Sequence, residues 1–171
     1  MDRDDVVKII YAATPGQKKS LQGLDLQGVD LSKLDLTGVD FTGCNLIGAN
    51  FSNANISKAL FDNANLYRAR MHQTDARGAV FIGCDLQRTL FTDAQLDSAR
   101  MVGCDLDGAH VPANLGSKVD LRATWWNQRP KGATKPIDMP RVKPVLEASK
   151  MKESPIKLRA GRVPFQSLRT I

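Results

Sequence analysis

From Leu21 to Val111 a centre residue recurs at every fifth position, nineteen times in one register, large and apolar everywhere except at Ala76. Two positions before each centre the middle of the run holds a small residue: Cys44, Ala49, Ala54, Ala59, Ala64, Ala69, Thr74, Ala79 and Cys84. Between the two stands a polar residue, as at Asp25, Asp30, Asp35, Asp40, Asn45 and Asn50, and glycine often follows two positions after the centre. Neither regular element counts in fives. Residues five apart lie on opposite faces of a strand, and about 140° apart around a helix. The small residue and the centre, two apart, share the inner face of an extended segment, while the polar residue between them points outward. For the next centre to face inward after an odd step, the chain must turn a corner in every unit. Gly, Asp and Asn supply the backbone freedom for it. The pattern therefore predicts a coil of short sides around one aliphatic core.

A step of twenty fixes the number of sides. Phe41, Phe61 and Phe81 repeat at twenty, as do Leu26, Leu46, Leu66, Leu86 and Leu106, and Cys44, Cys84 and Cys104 fall in one column. Four sides per coil would stack these identical side chains at the ordinary sheet spacing of about 4.8 Å. The unit of a small residue, Asp or Asn, Leu or Phe and two variable positions resembles the pentapeptide repeat family over residues 19–121. The resemblance implies an all-β fold, a right-handed quadrilateral parallel β-helix of about five coils. Coil one departs from the motif, with bulky Leu24, Val29, Leu34 and Val39 in the small column, and is expected to be wider. The count slips at Leu115 and Gly116 and returns at Val119-Asp120-Leu121, so the coil is expected to loosen there and end soon after.

Both ends need a cover, because a stacked coil exposes unpaired backbone at its first and last rungs. Residues 1–18 form an N-terminal unit. Val6, Val7, Ile9, Ile10 and Tyr11 predict a helix over 3–13, capped by Asp2 and stopped by Pro15-Gly16. It reads as a lid on coil one, with a partner-binding helix as the alternative. From Arg122 the five-step pattern vanishes, and residues 122–171 hold six of the chain's eight prolines. Charge divides at the same point: residues 1–121 carry 12 Lys+Arg against 15 Asp+Glu, and residues 122–171 carry 12 against 3. A basic, proline-punctuated segment with dispersed apolar residues cannot bury a core of its own. It is expected to be an extended arm whose anchors, Trp125, Trp126, Ile137, Val142, Leu158, Phe165 and Leu168, enter pockets on neighbouring proteins. Arg129, Arg141 and Arg159 among them would steer the arm toward acidic surface.

Chemistry adds little. His72 and His110 fall outside the inward columns without a nucleophile or carboxylate at motif spacing. The cysteines lack zinc spacing and read as core fillers. No enzymatic activity, metal, cofactor or small-molecule substrate is expected. No apolar run approaches a membrane span of about 20 residues, and the acidic N-terminus is unlike a secretory signal, so the expected location is cytoplasmic or within a virion.

One group of outward positions breaks the polar rule. Leu60, Val80, Ile82 and Val102, with Arg100 among them, map to one side of coils three to five, while Leu90 lies on the opposite side. Contiguous apolar surface marks a contact, covered by the arm, by another copy of the protein or by a foreign partner. The resemblance offers one specific partner, since some family members mimic duplex DNA toward type II topoisomerases. Here Arg68, Arg70, Arg77, Arg88 and Arg100 interrupt the acidic surface. A net charge of +9 in the arm also attracts phosphates, with Trp125 and Trp126 available to stack on bases. The primary reading is a structural or adaptor protein held in a larger protein assembly by its arm. Nucleic-acid contact through the tail and topoisomerase mimicry are the alternatives.

Overall fold

The computed structural model describes residues 1–13, 17–112 and 119–125. Its backbone pairs with itself at intervals of twenty residues, always in parallel, in four rows per coil. Row 1 runs Ser20, Asp40, Leu60, Val80, Arg100 and Asp120, and row 2 runs Asp25, Asn45, Asn65, Asp85, Asp105 and Trp125. Row 3 holds Asp30, Asn50, Arg70, Leu90 and His110; row 4 holds Asp35, Asn55, Asp75 and Gln95. Each contact is a single-residue bridge rather than a longer strand, because a turn follows at once. At Leu60, for example, the Phe41 N–H donates to the Leu60 carbonyl at 2.7 Å and the Leu60 N–H donates to the Val39 carbonyl at 3.0 Å.

The corner is a four-residue turn with the left-handed conformation at its third residue. The Cys44 N–H closes one such turn on the Phe41 carbonyl at 3.0 Å, with Gly43 at φ 68°. Gly83 needs its lack of a side chain twice over, since it sits at φ 65° and a Cβ there would stand 2.8 Å from Asn63 Oδ1. The polar residue before each centre does more than face water. Asp40 Oδ1 accepts the Thr42 N–H at 3.0 Å, and Asp30, Asn50, Asn55, Asn65 and Asp85 cap their own turns in the same way. The carboxylate or amide satisfies a donor that the turn would otherwise leave open. Rungs are also tied vertically, as where Asn50 Nδ2 donates to Asp30 Oδ1 at 3.0 Å.

Inside, the centres form the expected columns. Phe41, Phe61 and Phe81 are fully buried and stack face to face, with centroids 4.9 and 4.8 Å apart and planes within 9°. Phe51 meets Phe41 and Phe61 edge-on at 5.7 and 5.8 Å. The small column is not wholly inert. Cys84 Sγ donates to the Phe61 carbonyl and Thr89 Oγ1 to the Leu66 carbonyl, each 23 residues back in the coil below. Cys44 and Cys104 do the same, so the three thiols are buried fillers that also bond rung to rung.

The N-terminal helix α1 spans Arg3–Ala12 and is capped reciprocally by Asp2 and Asp5. Its buried residues, Val6 and Ile10, join the core cluster that also holds Val29 and Val39 of coil one, with Leu24 and Leu34 packed against it. The bulk that departs from the motif thus sits at the end that α1 covers. Arg3 completes the cover. Its guanidinium donates to the carbonyls of Asp30 and Ser32 at 2.9 and 3.0 Å. One coil up, the equivalent carbonyls of Asn50 and Ser52 accept from Leu31 and Lys33. Arg3 therefore stands in for the rung that coil one lacks. Pro15 and Gly16, and the slip at Leu115 and Gly116, lie outside the described residues.

At the other end the register runs further than the expected boundary at residue 121. Asp120 pairs with Arg100, the Thr124 N–H closes a turn on Leu121, and Trp125 pairs with Asp105. Trp125 is thus a rung residue of the coil. Truncating the central ring by Phe61→Ala should cost about 3–5 kcal/mol. Arg3→Ala, at the half-exposed end, should cost about 1 kcal/mol. Denaturant unfolding of both variants checks the order.

Candidate docking face

The capping Asp or Asn is replaced at three successive rungs in two rows, at Arg70, Leu90 and His110 in row 3 and at Leu60, Val80 and Arg100 in row 1. Only in row 1 do apolar side chains stack beside the break. At the foot of row 1 Asp40 is buried and receives Lys18 and, at 2.7 Å, the Gln22 amide. Burial alone would raise the Asp40 pKa, but hydrogen bonds from Lys18 and Thr42 outweigh it and hold the carboxyl at about 2. At its head Asp120 is gripped by two nitrogens of Arg122, at 2.9 and 2.8 Å. Between these ion pairs the successive rungs are Leu60, Val80 and Arg100, and the adjoining corner stacks Asp62, Ile82 and Val102. The sequence-predicted face is therefore brought together on one side. Its four apolar members are half-buried rather than open, because rung spacing lets each cover the flanks of the next. Arg100 is exposed. Leu90, 44% exposed, lies in row 3, away from this face.

Two features of the face escaped the sequence reading. Leu60, Val80 and Arg100 have no oxygen to cap the turn, so among the described residues the N–H groups of Asp62, Ile82 and Val102 lack the acceptor that Thr42 and Arg122 receive. Asp62 Oδ1 is buried with no hydrogen-bond partner. Only the capping role of the Asp/Asn column, read as an Asx motif, would have exposed the first from sequence.

Elsewhere the surface is mixed. The acidic ring of coil one is partly neutralised, Asp30 by Arg3 and Asp40 by Lys18. Arg77 pairs with Asp75, and Arg68 lies over the Tyr67 ring at 5.0 Å. Row 2 stacks Asp85 directly on Asp105. Burial raises both carboxyls, and the neighbouring charges of Asp85 and Asp107 push Asp105 further. His72 and His110 are exposed. Among the described residues no three His, Cys, Asp or Glu side chains gather to hold a metal, and no helix is long and apolar enough to cross a membrane. Of the proposed arm anchors only Trp125 is described, 38% exposed at the head of row 2. Trp126, Arg129, Ile137, Arg141, Val142, Leu158, Arg159, Phe165 and Leu168 lie outside the described residues.

The family model for pentapeptide repeats matches residues 18–43, 44–81 and 77–110, with eight copies. The chain belongs to the pentapeptide repeat family. No curated protein matches it significantly in sequence. Similar solved structures include Rfr23 of the cyanobacterium Cyanothece 51142, at 19% identity over 64% of this chain and 88% of that one, with a TM-score of 0.45. HetL of the cyanobacterium Nostoc sp. strain PCC 7120, a pentapeptide repeat protein involved in heterocyst differentiation regulation, shares 23% identity over 72% of this chain and 59% of its own, TM-score 0.45. Full-length QnrB1, a plasmid-mediated fluoroquinolone resistance protein, shares 22% over 63% and 58%, TM-score 0.44.

The two kinds of row carboxylate make opposite predictions. Asp40, depressed below its usual 3.8, stabilises the fold above that value, and the contribution is lost as pH falls through about 2. Asp85, raised, opposes folding once ionised. Both asparagine variants keep the turn-capping oxygen. Asp40→Asn should lower the melting temperature at pH 7 and Asp85→Asn should raise it. The Asp85 difference should fade as pH drops toward about 4, and the Asp40 difference should shrink only below that, as thermal unfolding across a pH series would show.

Proposed function

We propose that this chain is a non-enzymatic structural or adaptor subunit of a larger protein assembly, in the cytoplasm or a virion. In this reading the solenoid is a right-handed quadrilateral β-helix that presents row 1 as a protein docking face, and the basic segment after Trp125 anchors it to neighbouring subunits. The handedness is supported by the overwhelming preference of parallel crossover connections for that hand. The observation that carries the docking reading is an apolar strip stacked over a break in the caps. At three successive rungs, Leu60, Val80 and Arg100, the Asp or Asn that caps a turn is replaced, while Ile82 and Val102 extend the apolar strip. Giving up a cap costs about 1 kcal/mol by analogy with helix caps. Row 3 gives up its caps too, at Arg70, Leu90 and His110, and what sets row 1 apart is that the loss coincides with a stacked strip of four apolar side chains. Against catalysis stands the use of the polar residues: Cys84, Thr89, Asp85 and their equivalents bond the coil's own backbone.

The test is recovery of partners with a tagged full-length chain. Val80→Asp, which places an unpaired charge at the centre of row 1, should strip the proteins bound through the face. Removal of residues 126–171 should strip those bound through the arm and leave the coil folded by circular dichroism. Unchanged recovery with both variants would contradict the reading.

A further inference from the structure

Row 1 carries its own complement. Asp62 stands one rung below the Val80–Ile82 level and Arg100 one rung above it. Neither side chain makes an ion pair among the described residues, and the nearest carboxylate above Arg100 in the row, Asp120, is already held by two nitrogens of Arg122. Asp62 moreover keeps Oδ1 buried without a donor. Arg100 acts on Asp120 only through space, without an ion-pair contact. An anion and a cation without such contacts, at equal distances from an apolar centre, suit a two-fold interface, since such an interface must match itself.

We propose that row 1 docks antiparallel against row 1 of a second copy of this chain, about a two-fold axis at the Val80–Ile82 rung. The proposal rests on the reading of row 1 as a docking face and names its occupant. A two-fold axis lying in the interface across the coils reverses the order of rungs and keeps their lateral position. Asp62 of each copy then comes level with Arg100 of the other. Their lateral offset is two residues, about 6–7 Å of extended chain, which an arginine side chain spans. Asp62 also comes opposite the Val102 corner, whose N–H has no cap of its own. It would supply from outside the oxygen that Arg100 cannot.

The competing parallel arrangement, with the axis along the coil, sets Asp62 level with Asp62 and Arg100 level with Arg100. Like-charge contacts of that kind disfavour it. Leu60, Val80, Ile82 and Val102 fill the space between the two pairs. Because both copies have the same rung spacing, a match at one level is a match at the others. The strip is narrow and half-buried, so the dimer should be reversible rather than obligate.

Sedimentation of the full-length chain over a concentration series reads this directly. The wild-type mass should rise from monomer toward dimer. Asp62→Arg and Arg100→Asp should each weaken self-association by about tenfold or more, since each places like charges across the interface. An equimolar mixture of the two variants should recover the dimer, because both cross-copy pairs are then Arg–Asp; circular dichroism on each variant confirms that it is folded. A wild-type chain that stays monomeric, single variants that dimerise normally, or a folded mixture that fails to recover would each overturn the proposal. The underlying reading fails separately. If the wild type is monomeric but Val80→Asp still strips co-purifying proteins, the face has a different occupant. If Val80→Asp alters neither mass nor recovery, the docking reading falls as well.

Discussion

In-register stacking at twenty residues is the constraint on which the molecule depends. Each rung is one residue wide and is followed by a turn, so no strand is long enough to hold its neighbour alone. Cohesion comes from repetition: two backbone bonds at a bridge, a centre side chain packed on its copy above and below, and a capped corner. The aligned phenylalanine rings at 4.9 and 4.8 Å show how closely the core spacing follows the rung spacing. A coil made this way has no freedom to shift one side relative to another. Its surface positions are therefore fixed in a grid, and the chemistry of each row can be varied without disturbing the core.

The ends show what the grid demands when a neighbour is missing. Coil one has bulkier residues in its small column, and α1 lays Val6 and Ile10 into the same core. Arg3 then fills two carbonyls that a lower coil would have occupied. This is a chemical substitute for a rung, made by a side chain whose planar guanidinium presents several donors at once.

The architecture was legible because it is written in period. The step of five gave the corners, the step of twenty gave the four rows, and Phe41, Phe61 and Phe81 fell into one column as the pattern required. The α1 boundary at Asp2 followed from capping chemistry alone. What periodicity does not encode is which donor meets which acceptor. The reading of Asp and Asn as outward polar residues missed their hold on the turn N–H, and the reading of Cys44, Cys84 and Cys104 as fillers missed their bonds to the coil below. Arg3 was invisible for the same reason, since its partners lie 27 and 29 residues away. The boundary at residue 121 fell short because Trp125 occupies a polar position of the motif, yet its backbone pairs like any other rung residue. On the candidate face, Leu60, Val80, Ile82, Val102 and Arg100 were placed together from spacing. The open N–H groups and the stranded Asp62 oxygen emerged only with coordinates.

These observations converge on row 1, where lost caps and a stacked apolar strip fall together. Amide hydrogen exchange tests that most directly, because it reads the donors themselves. In dilute full-length protein the amides of Asp62, Ile82 and Val102 should exchange faster than the capped amides of Thr42, Ser52, Tyr67 and Gln87, and should slow when the chain is concentrated or bound in its assembly. Equal exchange in both sets, unchanged by association, would contradict the account.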